Sequence, residues 1–259
     1  MKVVIIGSGN IAAFFGIKMY EAGWNIIQVV SKNATNAQQL AQHFNTDYTN
    51  QANCIKQDAD LYILAVNDNA LVEFENISWL SEKQVIYTAG SITIDKVKAI
   101  STKIACIWPI YSIQKNNLPT SSSIPLVITH SEHVDKTILH KLANTISSNL
   151  FFLSEIQKQN THLAAVIANN FSNHLYTLAK QVLDQNNIPF ELLLPLIQNT
   201  TEKLMHSSPE QNQTGPAIRH DGITISHQIE ILNQNKTLQD IYKILTLSIQ
   251  QYYTRLKKD

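Results

Sequence analysis

Two groups of residues in this chain have types and spacings suited to chemistry. The first is Gly7-Ser8-Gly9-Asn10-Ile11-Ala12, close to the amino end. Gly7 permits a tight turn, Gly9 lets the backbone approach a diphosphate, and Ala12 lets a helix pack closely on a strand. A phosphate held there meets a helix amino end, where free N–H groups and the positive end of the macrodipole favour an anion without any Lys or Arg. The second group lies in the carboxyl half. His162 and Asn170 are eight positions apart, roughly one face of an α-helix, where His162 could exchange a proton and Asn170 could orient a carbonyl or imine. Arg219 could grip a carboxylate through two parallel hydrogen bonds, with Asp221 beside it. Each also has a purely structural reading: His162 as a hydrogen-bonded core or interface residue, Asn170 as a helix-packing amide, Arg219 and Asp221 as an internal ion pair, and Thr214 as a helix cap.

The glycine turn needs a strand before it and a helix after it. Val3-Val4-Ile5-Ile6 supplies the strand, and Ile11 to Ala22, closed by Gly23, supplies the helix. A strand over Asn25–Val30 and a helix over Ala34–Phe44 follow, with Ser31 or Asn33 as the cap, then a short extended piece near Asp47 and Tyr48. Further strands are expected at Leu61–Val66, Gln84–Thr88, Lys103–Trp108, Ile124–Thr129 and Phe151–Leu153, with a helix over Glu132–Ser148. This alternation predicts an α/β fold, a Rossmann-type mostly parallel sheet over residues 1–153 with helices on its faces. Ligands in such sheets lie at the carboxyl ends of the strands, which makes Gly7, Ser8, Gly9, Asn10, Ile11, Val66, Asn67, Thr88 and Gly90 the expected cofactor contacts. Asp68 has the alternative reading of a cap for a helix that begins at Asn69. Beyond Ser154, long helical periodicities over 155–185, 189–206, 216–234 and 237–256 predict an all-helical second domain, residues 154–259.

The end of the second strand bears on the choice of nucleotide. A carboxylate there would accept from the free 2′-hydroxyl of NAD, yet no Asp or Glu lies between Ile26 and Thr46. Ser31 and Lys32 offer a hydroxyl and an ammonium instead, which suit the 2′-phosphate of NADP. Composition excludes other classes of partner. Lys plus Arg and Asp plus Glu balance at 20 each, so no net field draws nucleic acid or an anionic membrane. No apolar run approaches the roughly 20 residues of a membrane helix, and the first strand lacks the flanks of a signal peptide. Cys54 and Cys106 have no ligand spacing, and a reduced, cytoplasmic protein is expected. His130-Ser131-Glu132-His133 falls at a strand-to-helix junction without a third ligand, so no metal is expected.

On these residues the chain resembles the Rossmann-like proteins that carry the DUF2520 domain, which are related to NADP oxidoreductases of the pyrroline-5-carboxylate reductase and coenzyme-F420-dependent type. The amino half carries the resemblance in Gly7 to Ala12, Ala65-Val66-Asn67-Asp68 and Thr88-Ala89-Gly90-Ser91. In the carboxyl half, His162 to Phe171 looks like the family's His-x-x-Ala-Val-x-x-x-Asn-Phe helix, and Thr214 to Asp221 looks like its Thr-Gly-Pro-x-x-Arg-Gly-Asp segment. The resemblance implies a helical domain of the 6-phosphogluconate-dehydrogenase carboxyl-terminal type, paired into a homodimer. It implies no particular substrate; the expected function is hydride transfer between NADP(H) and a small carbonyl, imine or hydroxy compound, with His162, Asn170, Arg219 and Asp221 as the catalytic candidates. Two departures stand out: Trp108-Pro109 replaces a His-Pro pair, and His220 replaces the small residue before Asp221. The lost histidine at Trp108 and the lack of one obvious proton donor motivate an alternative, a non-catalytic NADP(H)-binding sensor or regulatory protein.

Overall fold

Strand β1 (Lys2–Ile6) is apolar on both faces because it lies in the interior of a sheet covered on both sides. The computed structural model describes residues 1–256. The other strands are β2 (Asn25–Val30), β3 (Asp47–Thr49), β4 (Leu61–Leu64), β5 (Gln84–Tyr87), β6 (Lys103–Pro109), β7 (Leu126–His130) and β8 (Leu150–Phe152). They form one sheet in the order β3-β2-β1-β4-β5-β6-β7-β8. Neighbours run parallel except β6 and β7, which are antiparallel. From β1 the chain builds β2 and β3 on one side and then returns to place β4 on the other, so the carboxyl ends of β1 and β4 form the switch point where open α/β sheets bind ligands. Ile6 stands opposite Val30 on one side and Leu64 on the other, so all three strand ends reach one edge together.

The period of two along β1 divides its burial between the faces. Val3 and Ile5 join Phe14, Phe15, Phe44 and Leu142, contributed by helices α1 (Asn10–Glu21), α2 (Ala34–Phe44) and, after the short α3 (Asp68–Val72) and α4 (Ile94–Val97), α5 (Lys136–Ile146). Val4 and Ile6 join Leu71, Leu80 and Val97 on the other face. Burying each such side chain contributes about 1.5–3 kcal/mol.

Local chemistry sets the helix ends. Asn33 rather than Ser31 caps α2, its Oδ1 accepting from Asn36 N at 3.0 Å. The helix expected from Glu132 begins only at Lys136, because Asp135 Oδ1 accepts from Thr137 N at 2.8 Å and Ile138 N at 3.1 Å. Helix α6 (Glu155–Ala165) opens on a capping box between Ser154 and Gln157. The uninterrupted helix expected over 155–185 is instead broken by a π-helical segment, Val166–Phe171, before α7 (Ser172–Asp184). Then come α8 (Leu194–Lys203), α9 (Pro209–Asn212), α10 (Gly222–Ile231) and α11 (Lys236–Leu256). The helix expected from Pro216 starts at Gly222, because residues 216–221 form turns in which Asp221 N donates to Pro216 O and His220 sits at φ 54°. That left-handed backbone favours the glycine of the family motif, so the departure at His220 carries a conformational cost.

Contacts divide the chain into a unit Met1–Asn169 and a unit that begins at Asn170. The strands end with β8, next to the expected boundary at Leu153, but α6 belongs with the sheet because its Lys158 side chain is sunk into it. In the second unit, Leu178, Ala217 and Gln239 are the only buried side chains among the described residues.

Candidate functional site

The first site is built on the end of β1. Gly7 leaves the strand at φ +122°, and its N–H donates to Val30 O at 2.8 Å, fastening the turn to the end of β2. A Cβ at Gly7 would lie 2.1 Å from Ala65 O, so backbone conformation and neighbouring backbone both require glycine. Gly9 is the residue before α1, which begins with no side-chain cap and no acidic residue in its first turn. A Cβ at Gly9 would meet nothing within 4 Å. The helix end therefore presents uncapped N–H groups to open space, an arrangement that favours an anion.

Around this turn lies a cleft of about 470 Å³ that includes Gly7, Ser8, Gly9, Ser31, Lys32, Val66 and Asn67. Ser8 Oγ donates to Ser31 Oγ at 2.7 Å, and Phe74 and Ile77 provide an apolar wall. These groups fit the adenosine end of a dinucleotide: an apolar wall for the base, a hydroxyl and an ammonium for a 2′-phosphate, and a helix end for the diphosphate. Asn10 and Ile11, also expected contacts, act differently. Asn10 Oδ1 accepts from Lys115 N at 3.1 Å, and Ile11 packs on the core. Asn67 Oδ1 caps α3 through Ala70 N at 2.9 Å, which leaves the expected cap, Asp68, to accept from Ser91 Oγ. Sequence reasoning overlooked Glu73. It lies outside the stretch from Ile26 to Thr46 that lacks acidic residues, yet, just beyond α3, it lines the same cleft and accepts from Lys32 Nζ.

The second site lies at the same sheet edge, where β5 and β6 end. Thr88 is buried, and the Trp108 ring fills the space beside Gly90 so closely that a Cβ there would lie 2.4 Å from the indole. The Trp108 and His162 rings stand with centroids 5.2 Å apart at 50°. The departure at Trp108 and the candidate His162 are thus brought together. One helical turn before His162, the fully buried Lys158 donates to Ile92 O at 2.7 Å, Tyr87 Oη at 2.9 Å and Thr129 Oγ1 at 3.3 Å, and pairs with Glu155 Oε2 at 3.2 Å. Glu155 Oε2 also accepts from Ile94 N at 3.2 Å. Helix α6 therefore grips both ends of the segment 92–94, just beyond Gly90. Burial pushes the Tyr87 hydroxyl well above its ordinary pKa and the adjacent Cys106 thiol up to about 12. Nothing in the sequence marked Lys158 as buried, since its partners come from three separate strands and loops.

The remaining candidates lie in the second unit. Asn170 is exposed within the π-helical segment, so the 3.6-residue period used to set it on one face with His162 does not run through it. Arg219 is exposed and makes no salt bridge with Asp221 or any other described residue, though its charge helps lower the Asp221 carboxyl. Asp221 caps α10, accepting from Thr224 N at 3.1 Å and Thr224 Oγ1 at 2.8 Å, and these bonds hold its carboxyl below the ordinary carboxylate pKa. Thr214 caps no helix. No cluster of three metal-ligating side chains occurs among the described residues, and none of their helices is long and apolar enough to cross a membrane.

Residues 2–99 match the family model described as NADP oxidoreductase, coenzyme F420-dependent, and residues 124–249 match the domain of unknown function DUF2520. A search of curated proteins finds no match. Among solved structures, a Bacteroides fragilis protein assigned as an NADP oxidoreductase is 32% identical, with a TM-score of 0.87 over 96% of this chain and 98% of its own. The fold is shared with a 1-pyrroline-5-carboxylate reductase from Streptococcus pyogenes (15% identity, TM-score 0.60, 97% and 98% coverage). It is shared also with an imine reductase from Myxococcus stipitatus solved with NADP+ (12% identity, TM-score 0.68, 100% and 94% coverage). By its full-length likeness to the Bacteroides protein and its two matching segments, the chain belongs to the family of NADP-dependent oxidoreductases that join a Rossmann-like sheet to a DUF2520 domain.

Proposed function

We propose that the chain catalyses hydride transfer between NADP(H) and a small carbonyl, imine or hydroxy compound. The observation that carries this reading is the cleft at the ends of β1, β2 and β4, where an uncapped helix end and the pair Ser31 and Lys32 stand together. In it the backbone of Gly7, Ser8 and Gly9 and the amino end of α1 receive the diphosphate, Ser31 and Lys32 receive the 2′-phosphate, and Val66 and Asn67 line the floor. When bound, the nicotinamide supplies or takes up the hydride. Thr88 and Gly90 line its approach at the end of β5. His162, held against the Trp108 indole, moves a proton at one of its ring nitrogens. Asn170 orients the polar group of the substrate, and Arg219, which forms no salt bridge among the described residues, binds a substrate carboxylate. Asp221 serves these groups by fixing the start of α10.

The helical unit that begins at Asn170 is proposed as the substrate and dimerisation domain. Its Leu192, Leu196, Met205, Ile223, Ile244 and Leu247 are exposed, and a second copy of the chain is the proposed cover. Light scattering on the purified protein is expected to give twice the 29.2 kDa chain mass, and a monomer at micromolar concentration contradicts the assembly. A reducing, cytoplasmic setting accords with Cys54 and Cys106 both being free thiols.

The Trp108 indole over Gly90, in place of the family's histidine, favours a second reading in which NADP(H) is bound and sensed but not turned over. A panel of imines, keto acids and aldehydes with NADPH separates the two. Oxidation of NADPH that collapses on His162→Gln or Asn170→Ala supports catalysis, whereas tight NADPH binding with no turnover on any class supports sensing.

A further inference from the structure

The cleft at the end of β2 contains two groups of opposite sign that both bear on a 2′-phosphate. Lys32 Nζ donates to Glu73 Oε1 at 3.0 Å and Oε2 at 2.7 Å, although the residues lie 41 positions apart. The contact is made by the fold: Asn67 caps α3, and α3 delivers Glu73 over the end of β2. Both side chains are largely exposed, at 79% and 59%, and both line the cleft. An exposed pair of this kind contributes little to stability and opens readily. Its position therefore matters more for what enters the cleft than for the fold.

We propose that Glu73 is a specificity-determining residue that competes with the nucleotide 2′-phosphate for Lys32 and so holds down the preference for NADP(H) over NAD(H). The inference rests on the reading of this cleft as the adenosine end of the cofactor site. A 2′-phosphate that takes the Lys32 ammonium is left within a few ångströms of the Glu73 carboxylate, and like charges at that range repel appreciably even in water. A nucleotide with a free 2′-hydroxyl meets no such repulsion, and its hydroxyl can donate to the carboxylate. Glu73 thus acts on the two nucleotides in opposite directions, while Lys32 favours the phosphorylated one.

The experiment is calorimetric titration of the full chain and of the Glu73→Gln and Lys32→Met variants with NADPH and with NADH, at low salt and at 0.5 M salt. Glu73→Gln is expected to bind NADPH about three- to ten-fold more tightly at low salt, with NADH unchanged or weaker, and the gain should shrink at high salt as charges are screened. Lys32→Met should weaken NADPH and leave NADH nearly untouched. NADPH affinity of Glu73→Gln within two-fold of wild type, or an equal gain for both nucleotides, overturns the proposal while the cofactor site stands. Wild-type protein that does not bind NADPH, or binds it independently of Lys32, overturns the cofactor-site reading and this proposal together.

Discussion

Replacing Lys158 with methionine isolates the contribution of one buried charge. The methionine stem fills nearly the same space, so the change removes the ammonium and its bonds to Ile92 O (2.7 Å), Tyr87 Oη (2.9 Å), Glu155 Oε2 (3.2 Å) and Thr129 Oγ1 (3.3 Å) without opening a large cavity. Taking one partner from a buried ion pair costs about 3–5 kcal/mol. Two features put Lys158 near the lower end. The Glu155 side chain is 30% exposed, though its Oε1 is buried without a partner, and its Oε2 keeps the bond from Ile94 N. The Tyr87 hydroxyl keeps its own bond to Ile92 O at 3.0 Å and is not orphaned. The expected loss is about 3 kcal/mol, or about 6–12 °C in Tm for a chain of this size. Trp24, Trp79 and Trp108 all lie in the sheet unit, so tryptophan fluorescence during urea unfolding reports on the part that Lys158 anchors. Adding Glu155→Gln to Lys158→Met should restore part of the loss, because the uncompensated carboxylate becomes neutral. A single variant within about 1 kcal/mol of wild type, or a double variant no better than the single one, refutes the view that Lys158 fastens α6 to the sheet.

Other perturbations separate fold from binding. Gly7→Ala forces a Cβ to 2.1 Å from Ala65 O and should lower Tm sharply, whereas Gly9→Ala meets nothing within 4 Å and should keep its Tm but lose NADPH affinity at least about ten-fold. Gly90→Ala drives a Cβ into the Trp108 indole and should cost about 1–3 kcal/mol, relieved when Trp108→Leu is added. With its thiol pushed up to about 12, Cys106 should resist disulfide reagents at pH 8 until the chain unfolds, while the exposed Cys54 reacts at once. The raised values at Cys106 and Tyr62, both about 12, make the folded state hold protons that the unfolded chain releases from about pH 9–10. Their stabilisation is complete below that range and lost as pH rises toward 12, so urea midpoints should fall steadily over that span.

What was legible in the sequence follows the range of the forces involved. The turn at Gly7 could be read because a positive φ and a backbone close approach leave only one residue type. The limits of α2 could be read because Asn33 caps it locally and Asn45, at φ 48°, ends it. Where two local signals competed, the sequence was ambiguous: Asp135 displaced Glu132 as the start of α5, and Asp221 displaced Pro216 as the start of α10. The π-helical segment at Val166–Phe171 has no periodicity of its own to betray it. Glu73 and Lys158 were missed because their meaning arises from partners 41 and up to 71 positions away, which only the folded sheet brings together. His162 was found as a candidate, but its contact with Trp108 was not, since the two lie on different elements.

An NADP site at the ends of β1 and β2 can be seen in a crystal structure of the chain grown with NADPH. The diphosphate is expected on the N–H groups at the start of α1, beside Gly7 and Gly9, with the 2′-phosphate within hydrogen-bonding distance of Ser31 and Lys32. A nucleotide bound elsewhere, or one whose 2′-phosphate points away from both residues, would contradict it.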